Sequence, residues 1–532
     1  MFLNDLLENL IGGTLNDIFQ LDGGTLSGNI DGDDGSDTLF GDDVSNSFVL
    51  TGLNSGTATG LEGGFISIEN LTGNSLIDTF RLNGGTLSGS IDGAGNSDRL
   101  QADNVASTFV VTGSDTGTAT GLGAGFTDVE YLKGGGQIDT FQLSGGSISG
   151  FIDGGGNSDV LVGDNVANSF VVNGLDMGTA TGLGGGFTDV ENLTGGVLGD
   201  TFELNSGTLS GSIDGDYGID TLIGDDLVNV FVVTGADAGT VTGLGVGFTG
   251  VENLTGGAQG DTFQLNGGTL SGSVDGSGDE DTLIADDIAS TFVVTGADTG
   301  TATGLGGGFI DVENLTGGSS GDLFQAAAGA TLTGVMDGAG GNDHIMIMPD
   351  PFVSFRAVGG GNGLGIGDVL TIQGQNALPV NNGLVITTSE SATVEHSGFE
   401  TFSLQCALCA PLPATMAKSV AASWVDRQFA DVVFGDWRED EIQREMNLPR
   451  HAEIDRAVEL FDDDDAAPVF GDWSEDGSRV EAESPLHADP TRADNLWDDA
   501  LAMIERDQDS NESTKTLNAL SPNRGREDHS SI

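Results

Sequence analysis

The chain has 532 residues, 89 of them Gly, and carries 82 Asp plus Glu against 16 Lys plus Arg, a formal net charge of −66 at pH 7. Such an acidic balance disfavours nucleic acid and anionic membranes as partners, and carboxylates this dense need protons or a cation between them. Apolar residues still make up 37%, enough to line a dry interior, and no apolar run reaches the ~18 residues that insert across a bilayer.

The first residues, MFLNDLLENLIGG, lack the basic segment and long apolar stretch of a signal peptide. Glu8-Asn9-Leu10 matches the later Glu69-Asn70-Leu71 and Glu191-Asn192-Leu193. The chain therefore opens inside a repeat, which predicts a truncated N-terminus and a larger parent chain.

From there to residue 345 the sequence repeats every 61 residues. Phe48, Phe109, Phe170, Phe231 and Phe292 each open an FV(L/V) triplet, and Asp17, Asp78, Asp139, Asp200, Asp261 and Asp322 keep the same register. A period this regular points to equivalent slots in a stacked array. The copy 139–199 divides into three lines of about 20 residues, each with two short β-rich runs between Gly, Asn and Asp turns. In TLSGNI, Leu26, Gly28 and Ile30 alternate with polar positions, so one side of the strand faces a core. Gly density and the period of two exclude helix. A β-sandwich would leave the sub-period of about 20 residues unexplained. The expected fold is all-β: a right-handed parallel β-solenoid (β-roll or β-helix), one turn per line and three turns per repeat. Stacking supplies the core that no single line can bury, and about 19 turns at ~4.8 Å give a rod of about 90 Å.

Residues 346–410 read as divergent terminal turns acting as a cap, since GFETFSL echoes GFTDVENL. Beyond Cys406 lie twelve of the sixteen basic residues, together with Asp runs such as Asp462 to Asp465. Residues 411–532 are expected to form an acidic, low-order tail with short helices. It contains an echo, VFGDWRED and VFGDWSED, read as a duplicated linear segment or as a docking motif anchored by Phe434/Trp437 and Phe470/Trp473. Cys406-Ala-Leu-Cys409 has no second CxxC or His pair beside it, so a local disulfide or two thiols is favoured over zinc. The Asn70-Leu71-Thr72 sequon and its copies also mark strand exits, and the Thr57-Ala58-Thr59 ladder is too sparse for an ice-binding face.

The Gly-rich turns resemble the G-G-x-G-x-D-x-U-x nonapeptide of repeats-in-toxin proteins. Gly154-Gly155-Gly156-Asn157-Ser158-Asp159-Val160-Leu161 fits with Asn for the third Gly. Gly340-Gly341-Asn342-Asp343-His344-Ile345 is a shorter match, and Gly256 to Phe263 a shifted one. The repeat FTDVENLTGG…DTFQLNGGTLSGSIDG is also similar to arrays in large bacterial surface adhesins. The first resemblance implies calcium as a cofactor, with Gly exposing turn carbonyls and Asp adding hard carboxylate oxygens. The implied metal ligands are Asp31 with Asp37, Asp153 with Asp159, Asp214 with Asp220, Asp275 with Asp281, and Asp337 with Asp343. The departure from the family is that only about two of six turns per copy keep the motif. The same aspartates also suit a metal-free role, capping turns through backbone N–H groups.

Residues 1–345 contain only Arg81, Arg99, Lys133 and His344 as basic groups, at non-equivalent repeat positions, and no Ser-His-Asp set or phosphate loop. No enzyme activity is expected. The expected function is a non-catalytic, extracellular or cell-surface bacterial rod, structural or adhesive, with a surface, matrix or carbohydrate ligand as partner and with the calcium that the resemblance implies as a stabilising ion. The alternative is a calcium-dependent carbohydrate-targeting or secretion module of a larger secreted enzyme or toxin.

Overall fold

A computed structural model describes residues 9–348, 354–362, 367–374, 380–381, 385–387 and 393–406. All belong to the compact unit Met1–Ala410. The tail 411–532, its VFGDW echo and Cys409 lie outside the described residues. Within them the regular structure is β-strand, and no helix is present.

The strands form two long, mainly parallel sheets, one of them 23-stranded. A side-chain period of two sends alternate residues inward. In Thr79–Leu82, Phe80 and Leu82 are buried while Arg81 is exposed. The inward residues of both sheets make one continuous core, including Phe80, Leu100, Leu132 and Ile152, all 0% exposed. Phenylalanines opposed in register stack face to face. Phe48–Phe80, Phe109–Phe141, Phe170–Phe202, Phe231–Phe263 and Phe292–Phe324 have centroid separations of 4.8 to 5.0 Å. This spacing is set by the distance between strands, and each pair adds about 0.5–1.5 kcal/mol to the burial of its rings.

The parallel solenoid is present, but its turns are not three equal lines. Successive in-register partners are Phe80, Leu100, Leu132, Ile152 and Phe187, which are steps of 20, 32, 20 and 35 residues. The cause is an antiparallel hairpin in each copy. Thr108–Gly113 pairs with Thr116–Ala119, which pairs with Gly125–Thr127, all in one sheet. The sequence reading placed the first of these runs in one solenoid turn and the other two in the next. Asp115 sits at the reversal with φ 51°, and Asn54, Asp176, Asp237 and Asp298 hold the same conformation in the other copies. Asn and Asp tolerate this left-handed conformation best among residues with a side chain, so the chain turns back in the plane of its sheet.

The hairpin leaves each copy with two and a half turns. In copy 78–138, Thr79–Leu82, Arg99–Gln101 and Tyr131–Lys133 lie in one sheet, while Ser90–Ala94 and the hairpin lie in the other. In copy 139–199 every equivalent strand is in the opposite sheet. Equivalent positions therefore alternate between the two sides of the solenoid. The terminal region continues the stack, with Val369–Gly374 pairing parallel to Thr401–Cys406.

Candidate functional site

Each copy places acidic side chains at the strand entrances, where they satisfy the backbone of the rung before. The N–H of Asn46 donates to Asp78 Oδ1 at 2.5 Å, that of Asp78 to Asp98 Oδ1 at 2.6 Å, and that of Asp98 to Glu130 Oε2 at 2.6 Å. The same ladder recurs through Ser107, Asp139, Asp159 and Glu191, and through Asn168, Asp200, Asp220 and Glu252. Glycine makes room for it. Five residues before Asp98, a Cβ on Gly93 would overlap the carbonyl oxygen of Asp128 and lie 2.6 Å from Asp98 Oδ2.

The two aspartates of a ladder are held differently. Asp78 Oδ2 accepts the N–H of Asn74 at 2.8 Å, and Asp322 Oδ2 that of Gly318 at 2.8 Å. In the second class, Oδ2 of Asp37, Asp98, Asp159, Asp220, Asp281 and Asp343 is buried without a hydrogen-bond partner, as is that of Asp200 and Asp261 in the first. The six side chains of the second class are at most 1% exposed. Burial pushes the carboxyls of Asp98, Asp159, Asp220, Asp281 and Asp343 up, opposed by the backbone N–H they accept and reinforced by the neighbouring carboxylates. Asp98 and Asp159 reach about 8, Asp281 and Asp343 about 7, and Asp220 about 6. Burial likewise raises Glu130, Glu191 and Glu313. Asp98 and Asp159 thus favour the protonated form at neutral pH, while Asp281 and Asp343 stand near their midpoint.

These placements locate every acid singled out in the sequence. Asp37, Asp159, Asp220, Asp281 and Asp343 are the inner, backbone-capping members. Asp31, Asp214, Asp275 and Asp337 lie in the strands that lead into the turns, each accepting the N–H two residues on at 3.0 to 3.3 Å. Asp153, the fifth of that class, is 2% exposed and forms an ion pair with Lys133 Nζ at 2.9 Å. At this turn a lysine ammonium supplies the cation.

Among the described residues no group of three or more His, Cys, Asp or Glu side chains converges as a metal site would. A calcium ion takes six to eight oxygens. At Asp31, Asp214, Asp275 and Asp337 one carboxylate oxygen each is left over from the turn, so most ligands would have to be turn carbonyls and water. The inner aspartates are committed to the backbone through Oδ1. Sequence reasoning weighed capping against metal binding, but it had no means of seeing how deeply the capping carboxyls are buried.

No protein-family model matches the chain, and no curated protein gives a match.

Proposed function

We propose that the chain is a non-catalytic structural rod, exported or displayed at a bacterial cell surface, that presents its sheet faces to a ligand or matrix. The observation that supports this reading is the unbroken cross-rung bonding from Leu10–Gly13 to Thr401–Cys406. Each rung is fixed to the next by strand pairing, with one stacked Phe pair in each of five copies and buried acid caps along the ladders, so the solenoid resists bending and presents regularly spaced sites. The solenoid is right-handed in this reading, the hand that nearly all strand–crossover–strand connections adopt. The repeats-in-toxin-like character and kinship to large surface adhesins belong to the same proposal.

Calcium is its second part. Asp31, Asp214, Asp275 and Asp337 would hold the ion with turn carbonyls, at the weak affinity of extracellular modules, on the order of 10⁻⁴–10⁻³ M. Its effect would be to offset repulsion along the acidic turns.

Two measurements test the proposal. Antibody labelling of intact cells of the source organism is expected to find the chain on the outside, and deletion to reduce attachment; a chain confined to the cell interior overturns the surface role. Thermal melting of the purified chain is expected to rise by several degrees with millimolar calcium but not with magnesium. An unchanged melting temperature removes the ion from the proposal.

A further inference from the structure

Three of the four Lys or Arg residues before residue 411 are Arg81, Arg99 and Lys133. Their sequence spacing gives no hint of proximity, but the register steps of 20 and 32 bring them together. Arg81 lies opposite Gln101, Gln101 opposite Lys133, and Lys133 opposite Asp153, while Arg99 lies opposite Tyr131. Tyr131 and Phe151 meet edge to face with centroids 4.7 Å apart. All these residues alternate with the buried Phe80, Leu100, Leu132 and Ile152, so they stand on the outward side of four adjacent rungs. Arg81 is exposed, and Gln101 and Tyr131 are half-buried; Asp153 is buried against Lys133, and Nε and Nη2 of Arg99 are shielded from solvent beside it.

The other copies show what a plain rung carries at these positions. Arg81 replaces Gln20, Gln142 and Gln264, and Arg99 replaces Thr38, Thr221 and Thr282. Gln101 replaces Phe40, Val162 and Ile223; Tyr131 replaces Asn70, Asn192 and Asn253. Phe151, in the next copy, replaces Ser90, Ser212 and Ser273, so departures drawn from two consecutive copies fall on one patch. They introduce guanidinium groups, an amide and aromatic rings, which are recognition groups rather than scaffold residues.

We propose that this patch binds a short, hydroxyl-rich anionic glycan, such as an oligouronate. The exposed guanidinium of Arg81 matches a carboxylate in shape and charge, with the shielded Arg99 behind it adding positive potential. Gln101 offers both a donor and an acceptor to hydroxyls, and the rim of the Tyr131 ring offers an apolar contact to sugar C–H groups. The accessible part of the patch runs over the rungs of Arg81, Gln101 and Tyr131, suited to an extended ligand. The surrounding acidic field repels a densely charged polyanion within the ~8 Å over which charge acts at physiological salt, so a chain of sparse charge and many hydroxyls is preferred over nucleic acid or an acidic peptide.

The inference rests on the surface-rod reading and names its ligand. Its test is titration calorimetry of the full chain with trigalacturonate, maltotriose and hexa-aspartate. The variant R81Q/R99T/Y131N uses residues that the chain itself places at equivalent rungs, so the fold is preserved; a matching β-sheet spectrum and melting temperature verify this. The expected result is that trigalacturonate binds, that the variant binds at least tenfold more weakly, and that the other two probes bind at least tenfold more weakly to the unaltered chain. Failure of trigalacturonate to bind overturns the site. So does equal binding by the variant, or hexa-aspartate binding as tightly, which would make it a peptide or charge-only surface. These outcomes are separate from the cell-surface labelling, which judges the rod and not the patch.

Discussion

Replacing Asp159 by Asn removes one buried titratable group while leaving an oxygen to accept the Asp139 N–H, a 2.6 Å bond in the native chain. Asp159 is 0% exposed, and burial, reinforced by Glu191 and Asp153, pushes its carboxyl up to about 8. In the unfolded chain an Asp titrates near ~3.9. Between these values the native state holds a proton that the unfolded state has released, so stability falls as pH rises. The contribution is complete below about pH 4 and exhausted above about pH 8, with a slope of up to about 1.4 kcal/mol per pH unit. From pH 5 to 7 the native chain should therefore lose up to about 3 kcal/mol more than Asp159→Asn does. Coupling to Asp139 and Glu191 spreads the protons over the ladder and makes this an upper figure. Urea unfolding followed by circular dichroism at pH 5, 6 and 7 measures the difference in slope directly. Parallel slopes for the two proteins, or native stability that rises from pH 5 to 7, would refute a neutral buried carboxyl.

Two further substitutions probe the turns. Gly93→Ala forces a Cβ into the carbonyl of Asp128, whereas Gly95→Ala meets nothing closer than 3.7 Å; thermal melts should show the first destabilised by more than about 2 kcal/mol and the second by less than about 1. Asp115→Val places a β-branched residue at φ 51° and removes the acceptor of the Ser149 N–H, a 2.7 Å bond. Denaturation should show a loss of about 2–3 kcal/mol, against less than about 1 for Asp115→Asn, which retains both features.

The stacked architecture was legible because one physical constraint, the 61-residue register of Phe48 and its successors, reports equivalent slots directly. The subdivision was not, because SFVVNG, MGTA and GFT read as strands whether the chain crosses to the other sheet or folds back in its own. The deciding signal was small: Asn54, Asp115, Asp176, Asp237 and Asp298 recur two residues before a Gly, the chemistry of an in-plane reversal. At the candidate site, the capping role of Asp37 and its equivalents could be read from turn composition, but their burial required the neighbouring rung. Arg81, Arg99 and Lys133 occupy non-equivalent repeat positions, and it is the 32-residue step from Gln101 to Lys133 that sets Lys133 beside the rungs of the two arginines.

The half turn left over in every copy has a consequence for how such a chain can evolve or be engineered. Excising a single 61-residue unit would carry everything downstream around to the reverse side, and excising two would restore it. The patch built from Arg81 and Asp153 straddles a copy boundary, so its integrity depends on that junction, while its bearing relative to any later feature depends on whether the number of intervening units is odd or even.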